Sequence, residues 1–461
     1  MQFRRTGGLE RRSPAAGSLL PVRELLAYGA PALPLQMILL VTVIYLPSFY
    51  AIQRGLSMSA VGTMFFAARL WDTITDTFIG GLSDSTSSRW GHRKPWIALG
   101  TPFLLVSAYF LFTPVSGSSS LYLGSWLFLF YLAWTSVQIP YLAWGAELSS
   151  QYIERSRIAA FRETFGTIGV MLATALPLLL LRKADRELSG VLRVAFFGVL
   201  AMLPIAAVIA VTVARGETVR ATEVRFSWRV MVDAIRGNPL FVRFLGAQLL
   251  FSTGWNIFLA SIVIIVEYEF NLKGAYLSLV LIMNVAATLC MPLAIWAGRK
   301  IDKHTALALA LVGFVLFYLL LSRMAPDHYI LTAVTFACLG ICWAPVLINM
   351  HSMIPDLVDV GDFKGQAGQA GVYMAIYYVI VKMSMALGVG VGLPLLEAAG
   401  LHIKDASTPE GQRAITWVSL YLPALLCLPA IAMFWSYPLT RRRHNALRRW
   451  LDRPASPSQS V

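Results

Sequence analysis

Apolar residues in this chain come in long unbroken stretches: Met37–Ile44, Val170–Leu181 and Ala306–Leu321 hold no acidic or basic side chain. A helix that crosses the hydrocarbon core of a bilayer needs about 20 apolar residues. Membrane barrels instead show short alternating segments, and none is seen here. Twelve windows fit the helical requirement, near residues 25–52, 59–83, 95–114, 119–145, 158–181, 191–214, 240–268, 275–297, 304–322, 328–352, 368–399 and 412–437. Several exceed the minimum, which predicts tilted or kinked helices, with Pro31, Pro34, Pro47 and Pro345 as candidate kinks.

Composition agrees. Of 461 residues, 57% are hydrophobic and 13% charged, and the mean hydropathy is +0.65. Soluble proteins carry about 25% charged residues, so soluble-enzyme readings are excluded. The net charge of +14 does not point to nucleic acid. With both termini placed in the cytoplasm, about three times as many Lys and Arg lie in or beside inner segments as outer ones, as the positive-inside rule requires. A multi-pass protein of the bacterial inner membrane is expected, with membrane lipid around it. Met1–Arg23 is basic and lacks a signal-peptide core with a cleavage site, so the first helix is expected to stay. The four cysteines, Cys290, Cys338, Cys342 and Cys427, all fall inside apolar windows and read as packing residues.

The sharpest shift in composition is the polar, basic stretch Arg215–Arg236 between windows six and seven. A faint repeat supports a division there. Gly81–Asp84 through Arg89, Gly91, Arg93 and Lys94 follows window two, and Gly298–Lys303 follows window eight. Two parallel six-helix halves related by an axis along the membrane normal describe the major facilitator fold, an all-α membrane architecture of 12 transmembrane helices. The expected organisation is a cytoplasmic N-terminus (1–24), an N-terminal bundle (25–214), a cytoplasmic linker (215–239), a C-terminal bundle (240–437) and a basic cytoplasmic tail (438–461) that ends disordered from Pro454.

Charges inside spans carry the chemistry. Asp72 and Asp76 lie four apart in window two, hence on one helix face. Each mid-membrane carboxylate costs about 2.5–3.5 kcal/mol, and two together repel unless a cation or proton sits between them. Thr73 and Thr75 add hydroxyls, while Arg69 can neutralise one acid but not both. Lys382, alone in window eleven, needs a partner, and the two aspartates across the central cavity are the nearest candidates. Thr135 and Gln138, one turn apart, and Gln36 read either as cavity ligands or as interhelical hydrogen bonds. Glu147, Glu154, Arg155, Arg157, Arg162 and Glu163 predict a cytoplasmic ion-pair network that locks a gate, with Asp84, Arg89 and Arg93 of the preceding inner loop beside it. Asp356, Asp359 and Asp362 predict an acidic strip opposite the basic inner loops, either solvated or pairing at the gate, with Asp356 and Asp359 as the gate candidates. No Gly-x-x-x-x-Gly-Lys-Ser/Thr loop is present, so a gradient must drive any uphill work. Neither a nucleophile–base arrangement nor a metal set points to an enzyme.

Ala68–Asp72 with Asp76, the loop Ser88–Trp96, Ile139–Tyr141 through Glu147–Ser149, Glu154–Arg157 and Phe161–Glu163 together resemble the signature of the glycoside–pentoside–hexuronide:cation symporters, with Ser352, Met353, Asp356, Asp359 and Lys382 as C-terminal echoes. The likeness spans roughly residues 25–390. It implies a cation site at Asp72, Asp76, Thr75 and Thr135, as in melibiose permease, an essential central lysine at Lys382 and a cavity arginine at Arg162. Two aspartates that hold sugar hydroxyls in melibiose permease are Gln36 and Gln138 here, and the cation motif's asparagine is Thr75. Trp134, Tyr141, Tyr373 and Tyr377, with Trp71 and Trp343, offer aromatic faces to a sugar ring.

The expected function is therefore symport of a small molecule, a sugar or glycoside, coupled to Na⁺ or H⁺ by alternating access in a monomer. No cofactor is expected beyond the transported cation, and no metal beyond it. Two rivals stay open: a carrier of a lysolipid or other amphipathic anion on the same fold, and a non-transporting receptor that uses the fold as a scaffold.

Overall fold

Apolar runs without charge have one way to satisfy their backbone in a bilayer, and that is to become helices. A computed structural model describes the chain except residues 1–18, 150, 183–184, 215–227, 365–368, 402–405, 407 and 452–461. The N-terminal half contains α1 (Val22–Gly29), α2 (Ala32–Ile52), α3 (Met58–Ser85), α4 (Lys94–Phe112), α5 (Ser120–Glu147), α6 (Tyr152–Leu180) and α7 (Leu188–Val213). The C-terminal half contains α8 (Trp228–Gly237), α9 (Pro239–Ile264), α10 (Tyr276–Gly298), α11 (Lys303–Leu321), α12 (Tyr329–Phe363), α13 (Ala370–Ala398), α14 (Pro409–Thr416), α15 (Leu422–Trp435) and α16 (Arg441–Leu451). Single π turns follow α9 and join α14 to α15.

Eleven helical stretches among the described residues are long and apolar enough to span a membrane. The twelfth position in the order is α3, whose 28 residues include Arg69, Asp72, Asp76 and Asp84. Composition alone passes over this helix because it carries the charges. The chain breaks at Pro31 between α1 and α2, whereas Pro47 and Pro345 lie inside continuous helices. Two helices outrun their apolar windows: α6 begins at Tyr152 and α12 continues to Phe363, each carrying charged side chains beyond the hydrocarbon. Of the expected linker 215–239, residues 215–227 lie outside the described part and the remainder forms α8. The expected disordered end from Pro454 is also outside it, but the start of the tail is helical as α16.

Small residues let the backbones meet, as membrane helices require. A Cβ on Gly169 of α6 would lie 2.0 Å from the Leu33 carbonyl oxygen of α2. In the other half, one on Gly340 of α12 would lie 2.1 Å from the Met283 carbonyl oxygen of α10, and one on Gly388 of α13 would lie 2.3 Å from Cβ of Asn256 on α9. The halves press together on the side away from the chain ends. Gly62 of α3 abuts Pro394 of α13, Phe66 fills the space at Gly390, and the Ser59 backbone N–H donates to Glu397 Oε2 at 2.6 Å. Tyr276 donates to the Arg186 carbonyl at 3.0 Å on the same side.

Replacing Gly340 with Ala should cost about 1–3 kcal/mol, because the atom it meets is backbone and cannot swing away. Gly81→Ala, which meets nothing within 4 Å, should leave the thermal midpoint in detergent unchanged. Equal midpoints for the two variants would contradict this packing.

Candidate functional site

Helix periodicity stacks Asp72 and Asp76 on one face of α3, and α5 and α13 close over that face. The Lys382 ammonium of α13 lies 2.8 Å from Asp72 Oδ2 and 2.5 Å from Asp76 Oδ2. Thr135 of α5 donates to Asp72 Oδ1 at 2.9 Å, and its Oγ1 is 3.2 Å from Asp76 Oδ1. Thr75 donates to the Asp72 carbonyl at 3.1 Å and reaches within 3.5 Å of Thr135 Oγ1. Arg69 lies 3.6 Å from Asp72 Oδ2 with its guanidinium over the Tyr131 ring, 4.5 Å from the centroid. Thr73 turns back onto the Arg69 carbonyl and takes no part.

Two carboxylates thus face two cations, and the cluster is neutral. The carboxylate and hydroxyl oxygens around Lys382 Nζ are the donor set a hard cation takes, so a cation entering here would compete with the ammonium for one position. Asp72 is fully buried, whereas the Asp76 and Lys382 side chains remain 24% and 22% exposed. Access to the site is therefore from the Asp76 side.

Beside this cluster lies a cavity of about 370 Å³ between α2, α9, α10, α12 and α13. Val381, Ser384 and Met385, which flank Lys382, form part of its wall. A recess of about 170 Å³ shares Gln36, Asn284 and Trp343 with it and reaches Glu163. Toward the side of the chain ends the wall includes His351 and Tyr378, the latter 51% exposed, so the cavity opens there.

Of the residues expected at the substrate, Gln36, Trp343 and Tyr377 line the cavity. The others do not. Tyr141 and Tyr28 stack at 4.9 Å and donate to each other's carbonyl at 2.7 and 3.2 Å, which locks both into the N-terminal core. The Tyr373 ring packs on Phe241 at 4.5 Å and its hydroxyl accepts from Asn238 Nδ2 at 3.2 Å. Trp134 is 5% exposed and stacks on Phe130. Gln138 lies off the cavity wall with Oε1 buried and without a hydrogen-bond partner among the described residues. Arg162 pairs with Glu163 at 2.6 Å, and Lys382 turns to the aspartates.

The expected gate residues pair within their own halves. Arg93 bridges Glu147 at 2.6 Å and Asp84, and it donates to Ser83 Oγ at 2.5 Å. Burial works against its charge, but Glu147 and Asp84 outweigh that and hold its pKa above the ordinary arginine value. Arg157 pairs with Glu154 at 2.6 Å, and Arg89 lies over the neighbouring Trp90 ring. In the C-terminal half Lys303 meets Asp356 at 2.7 Å, while Asp359 holds His444 and Arg448 of α16 at 2.9 and 2.8 Å. The acid at the end of α5 or α12 meets a base at the start of α4 or α11, so the faint sequence repeat is a repeated ion pair. In the loop before α4, Gly91 takes φ 97° while Ser88 donates to its carbonyl at 2.7 Å.

Sequence reasoning missed Gln248, Ser252 and Asn256 of α9, Asn284 of α10 and His351 of α12, all on the cavity wall. The spacing of four among the α9 residues, in an otherwise apolar helix, was the available signal.

A model of the family described as MFS/sugar transport protein matches residues 27–441. The chain is 22% identical over 457 residues to sodium-dependent lysophosphatidylcholine symporter 1 of Xenopus tropicalis, across 90% of this chain and 85% of that protein. It is 26% identical over 406 residues to the isoprimeverose transporter of Lactiplantibacillus pentosus, across 85% and 83%. In fold it resembles the crystal structure of the nucleoside transporter NupG, with TM-score 0.63 and 13% identity over 90% of this chain and 99% of that one.

Lys382→Ala should destabilise the protein by about 3–5 kcal/mol, because it leaves buried carboxylates short of a counter-charge. Adding Asp76→Asn should recover most of the loss. Thermal unfolding in detergent without added Na⁺ measures both, and a wild-type midpoint in Lys382→Ala would refute the pairing.

Proposed function

Because the chain belongs to the MFS/sugar transport protein family, we propose that it is a secondary active transporter that moves an uncharged sugar or glycoside with Na⁺ or H⁺ by alternating access. The observation that carries this reading is the Lys382 ammonium held between Asp72 and Asp76, because it ties one half of the molecule to the other. A cation that takes up the oxygens of Asp72, Asp76, Thr135 and Thr75 displaces Lys382, since the cluster holds no spare negative charge. Lys382 sits among residues 381–385 of α13, three of which wall the cavity. Its release therefore alters the substrate site and the joint between the halves together, and that is coupling.

Among the described residues, the cavity wall holds no Asp, Glu, Lys or Arg, which favours a neutral substrate. Tail-side ion pairs such as Arg93–Glu147 and Lys303–Asp356 keep each half rigid as it rocks. The charge bias favours both termini in the cytoplasm, the membrane is taken as a bacterial inner membrane, and the conformation described is then the inward-open one. We take the carrier to act as a monomer among membrane lipids, with no catalytic activity and no cofactor beyond the transported ion.

A second reading is carriage of a lysolipid. The apolar wall formed by Leu39, Leu40, Val43, Phe251 and Leu259 favours it, as does the named substrate of the Xenopus relative.

Uptake into proteoliposomes should rise with an imposed Na⁺ or H⁺ gradient. Asp76→Asn should lower gradient-driven uptake by at least about tenfold, equivalent to 1.4 kcal/mol. Uptake of lysophosphatidylcholine and of no neutral glycoside would transfer the assignment to the second reading, and flux indifferent to Asp76 would remove the coupling role.

A further inference from the structure

We propose that α9 carries a sugar-hydroxyl subsite centred on the Gln248 carboxamide and completed by Ser252 and Asn256. This rests on the sugar-symport reading above and adds which residues recognise the substrate. The three positions are spaced by four, share one helix face and line the cavity from the C-terminal half, with Gln36 of α2 also on its wall.

Their hydrogen bonds leave one polar group unmet. Gln248 Nε2 donates to Ser252 Oγ at 2.7 Å, and Asn256 Nδ2 donates to the Ser252 carbonyl at 2.7 Å. Gln248 is 5% exposed, and its Oε1 is buried with no hydrogen-bond partner among the described residues. Leaving such a group unpaired forfeits its hydration without replacement, and an acyl chain cannot relieve that. A sugar hydroxyl both donates and accepts, so it satisfies the free end of the carboxamide whichever way the amide is turned. A carboxylate or phosphate offers acceptors only and leaves Oε1 unmet, and the described wall has no Lys or Arg to receive one.

Two further features suit a sugar ring. Trp255, next to Asn256 on α9, stacks on Trp343 of α12 at 4.7 Å and 15°, and both rings line the cavity. They offer an apolar face to the C–H side of a pyranose beside the polar stripe. At Gly388 the α13 backbone lies directly against Asn256, so the subsite rests on the helix that carries Lys382. Occupancy of the stripe and release of the ammonium therefore act on one helix pair.

The test uses the full-length purified chain and reads thermal stabilisation, which follows binding to the native state. A panel of neutral glycosides, including isoprimeverose and methyl glucosides, galactosides and xylosides, is scanned with Na⁺ and with pH varied. The best binder is then compared with its monodeoxy analogues on the wild type, Gln248→Leu and the nearly isosteric Gln248→Met. Both variants should keep the stabilisation by cation alone, which reports folding and the Asp76 site. They should lose at least about tenfold in glycoside affinity, equivalent to 1.4 kcal/mol. One monodeoxy analogue should bind the wild type more weakly than its parent yet bind the variants equally well. Unchanged glycoside affinity in a variant that keeps the cation response overturns the subsite and leaves the symport reading standing. The same holds if every deoxy penalty persists in both variants. A wild type stabilised by lysophosphatidylcholine and by no glycoside overturns both.

Discussion

The ion pairs of Lys382 with Asp72 and Asp76 set the terms for the whole molecule. Two carboxylates on one face of a membrane helix cannot both stay ionised without positive charge, and the charge that bridges them comes from the other half of the chain. Arg69, held over the Tyr131 ring, is committed to Asp72. One acid in the pair thus relies on a partner from the other half. A charge that belongs to neither half alone makes the joint between the halves sensitive to whatever ion enters.

That sensitivity has use only if each half moves as a body. Backbone contacts at Gly169 and Gly340 bind helices within each half, and the ion pairs near the chain ends do the same for their tips. The side away from the chain ends is closed by shape, with Gly62 against Pro394 and Phe66 in the space at Gly390. On the proposed reading, charges within the halves stiffen and the Lys382 cluster shared between them switches. Among the described residues the cavity beside it is lined by uncharged groups, so a cation at the aspartates and a substrate in the cavity would not compete for the same atoms. They meet through α13, whose Lys382 faces the aspartates and whose Ser384 faces the cavity.

The elements, their order and the charged centre were legible in the chain, for a physical reason. Burying an apolar run or a mid-membrane charge has so few solutions that composition and spacing decide it. Asp72, Asp76 and Lys382 were expected together on those grounds and Thr135 through the family resemblance, and the structure brings the four within hydrogen-bonding or ion-pairing reach. The long windows announced helices, although α6 and α12 run past them because solvated turns carry no apolar signal.

Which aromatic and amide side chains face the cavity was not legible, since helical spacing fixes a face but not what lies opposite. Tyr141 and Tyr373 share the composition of a sugar platform yet are turned into the cores by Tyr28 and Asn238. Gln248 and Asn256 look like ordinary interhelical polar residues until α9 is seen against the cavity. Membrane class, the two-half fold and the identity of the buried charges follow from the order of residues alone, because each reflects a local cost. The cavity wall and the partners of the gate residues emerge only from the assembled helices, because each depends on how helices distant in the chain are rotated against one another.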